Sequence, residues 1–579
     1  MRGFRVWAPA RERVELIAAG RRHAMRRVER GWWESDGVAA EPGTRYGFSL
    51  DGGYVRPDPR SPSQPDGVLG LSEVVDQAAH RWRDGAWRGR ALAGSVTYEL
   101  HVGTFSSAGS FDGVIEHLPH LVDLGVDAVE IMPVAEFEGA RGWGYDGVDL
   151  YAPHHAYGGP AGLKRLVDAC HAAGLATVLD VVYNHLGPVG NFLSEFGPYF
   201  SDRHKTDWGP ALNFDGSGSD EVRRYIVDNA LMWLREYHFD GLRLDAVHAI
   251  VDQTPVHVLE QLEMEVEALG EELHRTLFLI AESDSNDPRL VRGRDAGGYN
   301  LEAAWSDDWH HAVHAALTGE RTGYYLDFGS LGHLGKALRQ AWVYDGVWSE
   351  HRQRTRGRKA TGVASHRFVI AVQNHDQVGN RAMGDRLATL VDEGKAGAAA
   401  ALLLTSPFTP MLFQGEEWAA TTPFQYFTDF ADRELGNAVR EGRRREFAAF
   451  GWNPDGVPDP QDPATFERSR LDWRELDEAP HRAVFEWYRE LIALRRRLPA
   501  PRDPAGEGVT VEIDDAWGRI VFERAGVSVR VNLGDEVWKV AIPVGFKLSL
   551  MSERVERSGD GLRLGPLSVA VLEGEANHG

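Results

Sequence analysis

From residue 95 to about residue 413 the chain repeats one plan: an amphipathic helical stretch, a glycine, then a short apolar run. "FDGVIEHLPHLVDLGVDAVEIMPV" gives a helix, a stop at Gly125 and a strand. "GLKRLVDACHAAGLATVLDVVYNH" repeats this around Gly174, and "SDEVRRYIVDNALMWLREYHFDGLRLDAVHAI" does so again. Helix, glycine C-cap and apolar strand in alternation make βαβ units, whose strands lie parallel. "SVTYELHVGTF" supplies a strand before them, and "LHRTLFLIAES", "HRFVIAVQNHD" and "PMLFQGEEW" supply strands after them. Seven strands are readable, and a weaker eighth falls near "NLEAAWSDD". That count, over roughly 400 residues, predicts a decorated (β/α)8 TIM barrel. A doubly wound open sheet is the alternative, but the chain has neither a GxGxxG fingerprint after a first strand nor a Walker loop.

The flanks obey a different grammar. Residues 1–88 hold short, partly alternating runs broken by Gly and Pro, and predict an all-β unit; "RPDPRSPSQPDGVLG" reads as an ordered connection. The barrel is assigned residues 89–504. Alternation returns in "VTVEIDDAWGRIVFERAGVSVRVNLG", so residues 505–579 are expected to form a C-terminal antiparallel β domain. Ala396–Phe413 lies in the longest uncharged stretch. It contains Thr405, Ser406, Pro407 and Pro410, and reads as a buried helix followed by a strand rather than a membrane span.

A formal net charge of −23 argues against nucleic-acid and anionic-membrane partners. The single cysteine, Cys170, excludes an intrachain disulfide and a Cys-based metal site. "MRGFRVWAPA" has no apolar signal segment, so a soluble cytoplasmic protein is expected. Eighteen Trp and 16 Tyr suit stacking on sugar faces, although core filling is the commoner use of any single aromatic.

In a (β/α)8 barrel, functional side chains sit at the C-terminal strand ends. Strand three ends with Asp180, Asn184 and His185; strand four with Arg243, Asp245 and His248; strand five with Glu282 and Asp284; strand seven with Asn374, His375 and Asp376. Taken singly, Asp180 reads as a cap or prop, and Arg243 beside Asp245 reads equally well as a buried ion pair. Glu282, closing the apolar run "FLIA", has little structural purpose. Three carboxylates, two histidines and an arginine converging from four strands are improbable as accidents. Arg243 beside Asp245 would repel a cation, so a neutral polyhydroxylated substrate fits better than a metal, and neither metal nor cofactor is expected. Retaining glycoside hydrolysis needs a carboxylate nucleophile and a carboxylic acid ~5–5.5 Å apart, a spacing that neighbouring strands four and five supply. Glu282, ending an apolar strand, is the candidate for a raised pKa.

"DVVYNH", "GLRLDAVHA", "AES" and "QNHDQ" resemble, in order and in strand position, the four motif regions of the α-amylase family of glycoside hydrolases. The resemblance implies that Asp245 is the nucleophile, Glu282 the general acid/base and Asp376 the third carboxylate gripping sugar hydroxyls at subsite −1. Arg243, His185, His375 and Asn374 become further substrate contacts, Tyr145 the residue stacking under the −1 ring, and Asp180 the prop of Arg243. Asn184 matches a calcium ligand of the amylases, but the short insertion after strand three offers it no acidic partner set. The N-terminal unit becomes a carbohydrate-module-like β-sandwich. The flanking text "QNHDQVGNRAMGDRL", "AESDSNDPRLV" and "EYHFDGLRLDAVHAI" is similar to the maltooligosyltrehalose trehalohydrolases. This implies cleavage of the α-1,4 bond beside a terminal trehalose, a maltooligosaccharide substrate carrying that trehalose, and a maltooligosyltrehalose synthase acting beforehand as pathway partner. Trp208, His248 and Asp284 are then candidates for subsites +1 and +2, with loop packing an equal reading for Trp208. A glycogen-branching enzyme is the nearest rival, although an acidic residue is usual there where this chain has Gln377. Debranching enzymes also differ at that phrase, and a glucan-binding protein with a dead barrel is the rival outside enzymes.

Overall fold

The computed structural model describes residues 3–449, 456–499 and 503–574. Eight parallel strands close into a barrel in sequential order: β1 (Thr97–Leu100), β2 (Ala128–Ile131), β3 (Ala176–Val181), β4 (Gly241–Leu244), β5 (Phe278–Ala281), β6 (Ala303–Trp305), β7 (Phe368–Ala371) and β8 (Thr409–Phe413), which pairs back onto β1. Every residue of these strands is buried, which is why they read as unbroken apolar runs rather than as an alternation. The weakly signalled strand is β6. It is three residues long and lies where "NLEAAWSDD" placed it.

The outer ring is α1 (Phe111–Leu124), α2 (Gly159–Ala172), α3 (Ser219–Glu236), α4 (Val258–Leu273), α5 (Asp307–Thr318), α6 (Glu393–Thr405) and α7 (Ala479–Arg497). Between β5 and β6 the helix is replaced by two 3-10 turns, Pro288–Leu290 and Arg294–Ala296. Ser110 caps α1 through the Gly113 N–H, and Gly125, at φ 92°, ends it by donating to Leu121 O, a conformation that needs no Cβ. The uncharged stretch forms most of α6 and then β8, and among the described residues no helix is long and apolar enough to cross a membrane.

Seven short strands between Arg5 and Glu73 pair antiparallel into one N-terminal sheet. The proline-rich connection docks it onto the barrel: Arg60 donates to Tyr151 Oη and to Asp228 of α3, both at 2.8 Å. After α7, a five-stranded and a three-stranded antiparallel sheet fill Thr510–Gly574. Arg524 donates from that unit to Thr405 O, at the end of α6.

The N-terminal face of the barrel is held by one carboxylate. Asp240, fully buried just before β4, accepts from Trp87 Nε1 (2.7 Å), Arg275 Nη2 (2.9 Å) and the Thr177 N–H of β3 (2.9 Å). His171 lies between Asp240 and Asp84, 3.0 Å from each. Burial opposes the Asp240 charge, but His171 and Arg275 outweigh it and its pKa is lowered. Its stabilising contribution is therefore present above the ordinary carboxylate pKa and lost as pH falls through the depressed value. We predict that Asp240→Asn lowers Tm, with a loss of stability on the order of 3 kcal/mol expected for breaking a buried charged network. Because this face lies away from the rim, kcat should change by less than about twofold. Calorimetry beside an activity assay checks both.

Candidate active site

At the opposite face the strand ends converge on Arg243. It lies near the end of β4, fully buried, with the Trp305 ring of β6 4.3 Å from its guanidinium carbon. The β3–β4 register sets Asp180 directly beside Arg243. Arg243 Nη1 donates to Asp180 Oδ1 (2.9 Å), Asp180 Oδ2 (3.0 Å) and Asp245 Oδ1 (2.7 Å). Nη2 is 3.7 Å from Glu282 Oε2. Three carboxyl groups from β3, β4 and β5 thus share one buried cation.

Asp245 and Glu282 continue the β4 and β5 ladders: Asp245 N–H donates to Val181 O, and Glu282 N–H to Leu244 O. Adjacent strands lie about 4.8 Å apart, so the two carboxyls stand side by side at the rim. Their surroundings differ. Asp245 takes its second hydrogen bond from Asn184 Nδ2 (2.8 Å to Oδ2), so Asn184 orients this carboxylate. Glu282 Oε2 accepts from the Ala246 N–H (2.6 Å). Burial is the largest influence on Glu282 and raises its pKa well above the usual carboxylate range, with Asp245, Asp307 and Asp376 adding to it against Arg243. Ala246 sits at φ 41°, ψ 48°, a left-handed conformation costing roughly 1–2 kcal/mol for a residue with a Cβ. The turn aims one strand's backbone donor at the next strand's acid.

A relay closes the other side. Tyr145 Oη donates to Asp180 Oδ2 (2.6 Å) and is 2.7 Å from His375 Nε2, with the two rings stacked at 5.3 Å. His375 Nδ1 is 2.6 Å from Glu99 Oε1, and its N–H donates to Glu99 Oε2. Burial opposes the imidazolium, but Glu99 and Asp376 outweigh it and raise His375 to about 9. Asp376, with its side chain 47% exposed, faces the opening 3.6 Å from His375 Nε2. Asn374 Oδ1 accepts from the Asp376 and Gln377 N–H groups, while Gln377 Oε1 accepts from Asn374 N–H, a reciprocal cap. Asn374 therefore fixes the turn that carries Asp376.

The remaining candidates lie further out. His185 is buried beside Asn184, and desolvation lowers its pKa. Trp208, 53% exposed in the hairpin Phe200–Thr206/Gly209–Leu212, stacks on it with ring centroids 5.5 Å apart. His248 Nε2 is 3.8 Å from Asp284 Oδ1, and Asp284 also receives Arg352 (2.9 Å) and Arg356 (3.1 Å) from the hairpin Asp345–Ser349/Arg354–Gly357.

Two residues escaped the sequence reading. Glu99 is a charged residue inside the short buried strand Thr97–Leu100. Asp307 directly follows Trp305–Ser306 at the end of β6 and adds a further carboxyl; burial and the neighbouring Asp376 raise it to about 7. Gln377 Nε2 donates to its Oδ1 (3.3 Å).

Fold and rim define the class first: a glycoside hydrolase of the α-amylase type, and residues 81–213 match the alpha amylase catalytic-domain family. The malto-oligosyltrehalose trehalohydrolase of Arthrobacter ramosus is 51% identical over 576 residues, covering 99% of each chain. A crystal structure from Salmonella typhimurium, assigned to the alpha amylases, is 40% identical with a TM-score of 0.90, covering 98% of this chain and 97% of its own. At that degree of similarity the chain belongs to the malto-oligosyltrehalose trehalohydrolase family. A 1,4-alpha-glucan branching enzyme of Ralstonia nicotianae is 28% identical over 90% of this chain and 65% of its own.

A histidine raised from the usual ~6.5 to about 9 adds stability that is complete below pH ~6.5 and lost as pH rises through 9. Glu99→Gln removes its anionic partner, so the imidazole should titrate closer to neutrality. We predict a loss in kcat/KM of at least about tenfold at pH 8, one pKa unit or 1.4 kcal/mol in effect, and a smaller loss at pH 6. The His375 ring resonances followed by NMR titration check the cause.

Proposed function

We propose that the protein hydrolyses the α-1,4-glucosidic bond next to the terminal trehalose of maltooligosyltrehalose, releasing trehalose and a maltooligosaccharide with net retention. The observation that carries the chemistry is the side-by-side position of Asp245 and Glu282 on adjacent strands, in unlike surroundings, around Arg243. The family supplies the choice of bond.

In this reading the glucan enters at subsite −1 over Tyr145, with His185, His375 and Arg243 around the ring. Asp245 attacks the anomeric carbon. Glu282, kept protonated by burial, gives its proton to the departing trehalose oxygen. Glu282 then takes a proton from water, and the resulting hydroxide displaces Asp245, so two inversions give retention. Asp376 holds sugar hydroxyls at −1, and Asn374 keeps it in place. Trp208, His248 and Asp284 are assigned to subsites +1 and +2. There the arginine-held Asp284 offers acceptors that a correctly placed hydroxyl pair satisfies and a plain maltosyl unit leaves unpaired. A maltooligosyltrehalose synthase would supply the substrate, and the setting would be cytoplasmic. A net charge of −23 suits a neutral substrate over a polyanion.

Incubation with maltotriosyltrehalose and, separately, maltopentaose tests the reading by chromatography. Trehalose plus maltotriose from the first, with much slower cleavage of the second, is the expected result; equal cleavage gives a general α-glucanase, and products longer than the substrate give a transferase. Glu282→Gln should reduce turnover by about 10²–10⁴-fold. A maltosyl fluoride, whose leaving group needs no proton, should recover much of the first step in that variant. Failure of the fluoride to react faster than the natural substrate would remove Glu282 from the acid role.

A further inference from the structure

A second set of ligating side chains lies at the base of the excursion from β2 to α2, outside the catalytic cluster. Ala135–Glu136 pairs antiparallel with Asp149–Pro153, and His154 and His155 follow directly. Glu136 and His154 are fully buried; the His155 side chain is 36% exposed. Glu136 Oε1 lies 3.1 Å from His154 Nδ1 and 2.6 Å from His155 Nδ1. One ligand atom from each residue falls within 4.8 Å of the others.

The informative atom set is the His154 ring. Its Nε2 has no hydrogen-bond partner among the described residues and its Nδ1 has only the 3.1 Å approach to Glu136, although the ring is stacked on Phe137 at 3.9 Å and walled by Tyr157. A buried polar group left unpaired calls for an explanation. Asp149, opposite Glu136 in the pairing, is also buried and has an unpartnered Oδ2. Among the described residues no Lys or Arg pairs with either carboxyl. Two carboxyls and two imidazoles with no Lys or Arg among them make a donor set suited to a divalent metal.

We propose that Glu136, His154 and His155 bind a divalent transition metal, with zinc the best match to two imidazoles and one carboxylate. Three protein ligands leave the fourth tetrahedral position to water, which reaches the site past the half-open His155. Bonds of about 2.0–2.1 Å place tetrahedral ligand atoms roughly 3.3 Å apart, close to the His154 contact and a small outward turn of the exposed His155 ring away. The metal would clasp the excursion at its base. That excursion carries Trp143 and Tyr145, and Tyr145 reaches Asp180 and His375. The ion therefore acts on the catalytic pocket only by holding Tyr145 in place.

Chelator-treated full-length protein would be titrated with zinc chloride by calorimetry, with Tm measured before and after. The expected result is one site per chain with Kd of about 1 µM or tighter, accompanied by a rise in Tm. His155→Ala, at an exposed ring, should fold normally by circular dichroism yet weaken zinc binding by at least about tenfold and abolish the Tm rise. Glu136→Gln should do the same if it folds. Cobalt(II) should give tetrahedral d–d absorption bands in the native chain and lose them in His155→Ala. No saturable binding, or binding and a Tm rise unchanged by His155→Ala, overturns the proposal.

Discussion

A guanidinium without any contact with water is costly unless anions surround it, and this cost organises the rim. Arg243 cannot be buried until β3 brings Asp180 alongside, β4 ends in Asp245 and β5 delivers Glu282. Trp305 from β6 lies across its face. Four consecutive strands are thus held in register at their upper ends by one cation. The same cation gives the three carboxyls unequal shares: two accept hydrogen bonds from it and the third stands 3.7 Å away. Together with burial, that inequality leaves Glu282 the carboxyl whose pKa is raised.

The charged groups of the two barrel faces serve different ends. Below, Asp240 is saturated by donors from the β3 backbone, the linker before β1 and α2, and its carboxylate is fully buried. Above, the chain Glu99, His375, Tyr145, Asp180, Arg243, Asp245 runs unbroken from β1 to β4, yet ends at carboxyls that face an opening. The first network is complete without a ligand. The second is complete only up to the point where sugar hydroxyls would continue it.

Much of this was legible because each βαβ unit repeats the same local signals and because strand ends announce themselves as polar residues closing apolar runs. Asp245 and Glu282 were visible for that reason. β6 was faint since three residues, Ala-Ala-Trp, are too few for a period to show. Asp307 was missed with it: without a defined strand end, an acidic pair at the start of α5 reads as helix capping. Glu99 was hidden by depth rather than by ambiguity, because its partner His375 is 276 residues away and no spacing rule joins them. Contacts of the hairpin carrying Arg352 and Arg356 were equally unreadable, since the sequence does not say which loop folds over Asp284. Tyr145 was placed by resemblance alone; its two hydrogen bonds supply the physical reason.

Gln377 looked like a mere subgroup marker. Its amide works at both ends, accepting from the Asn374 N–H and donating to Asp307. A glutamate there keeps the first bond and turns the second into a contact between two carboxyls. The two positions are thus physically coupled in this chain: a change in charge at 377 is felt first by the carboxyl at 307.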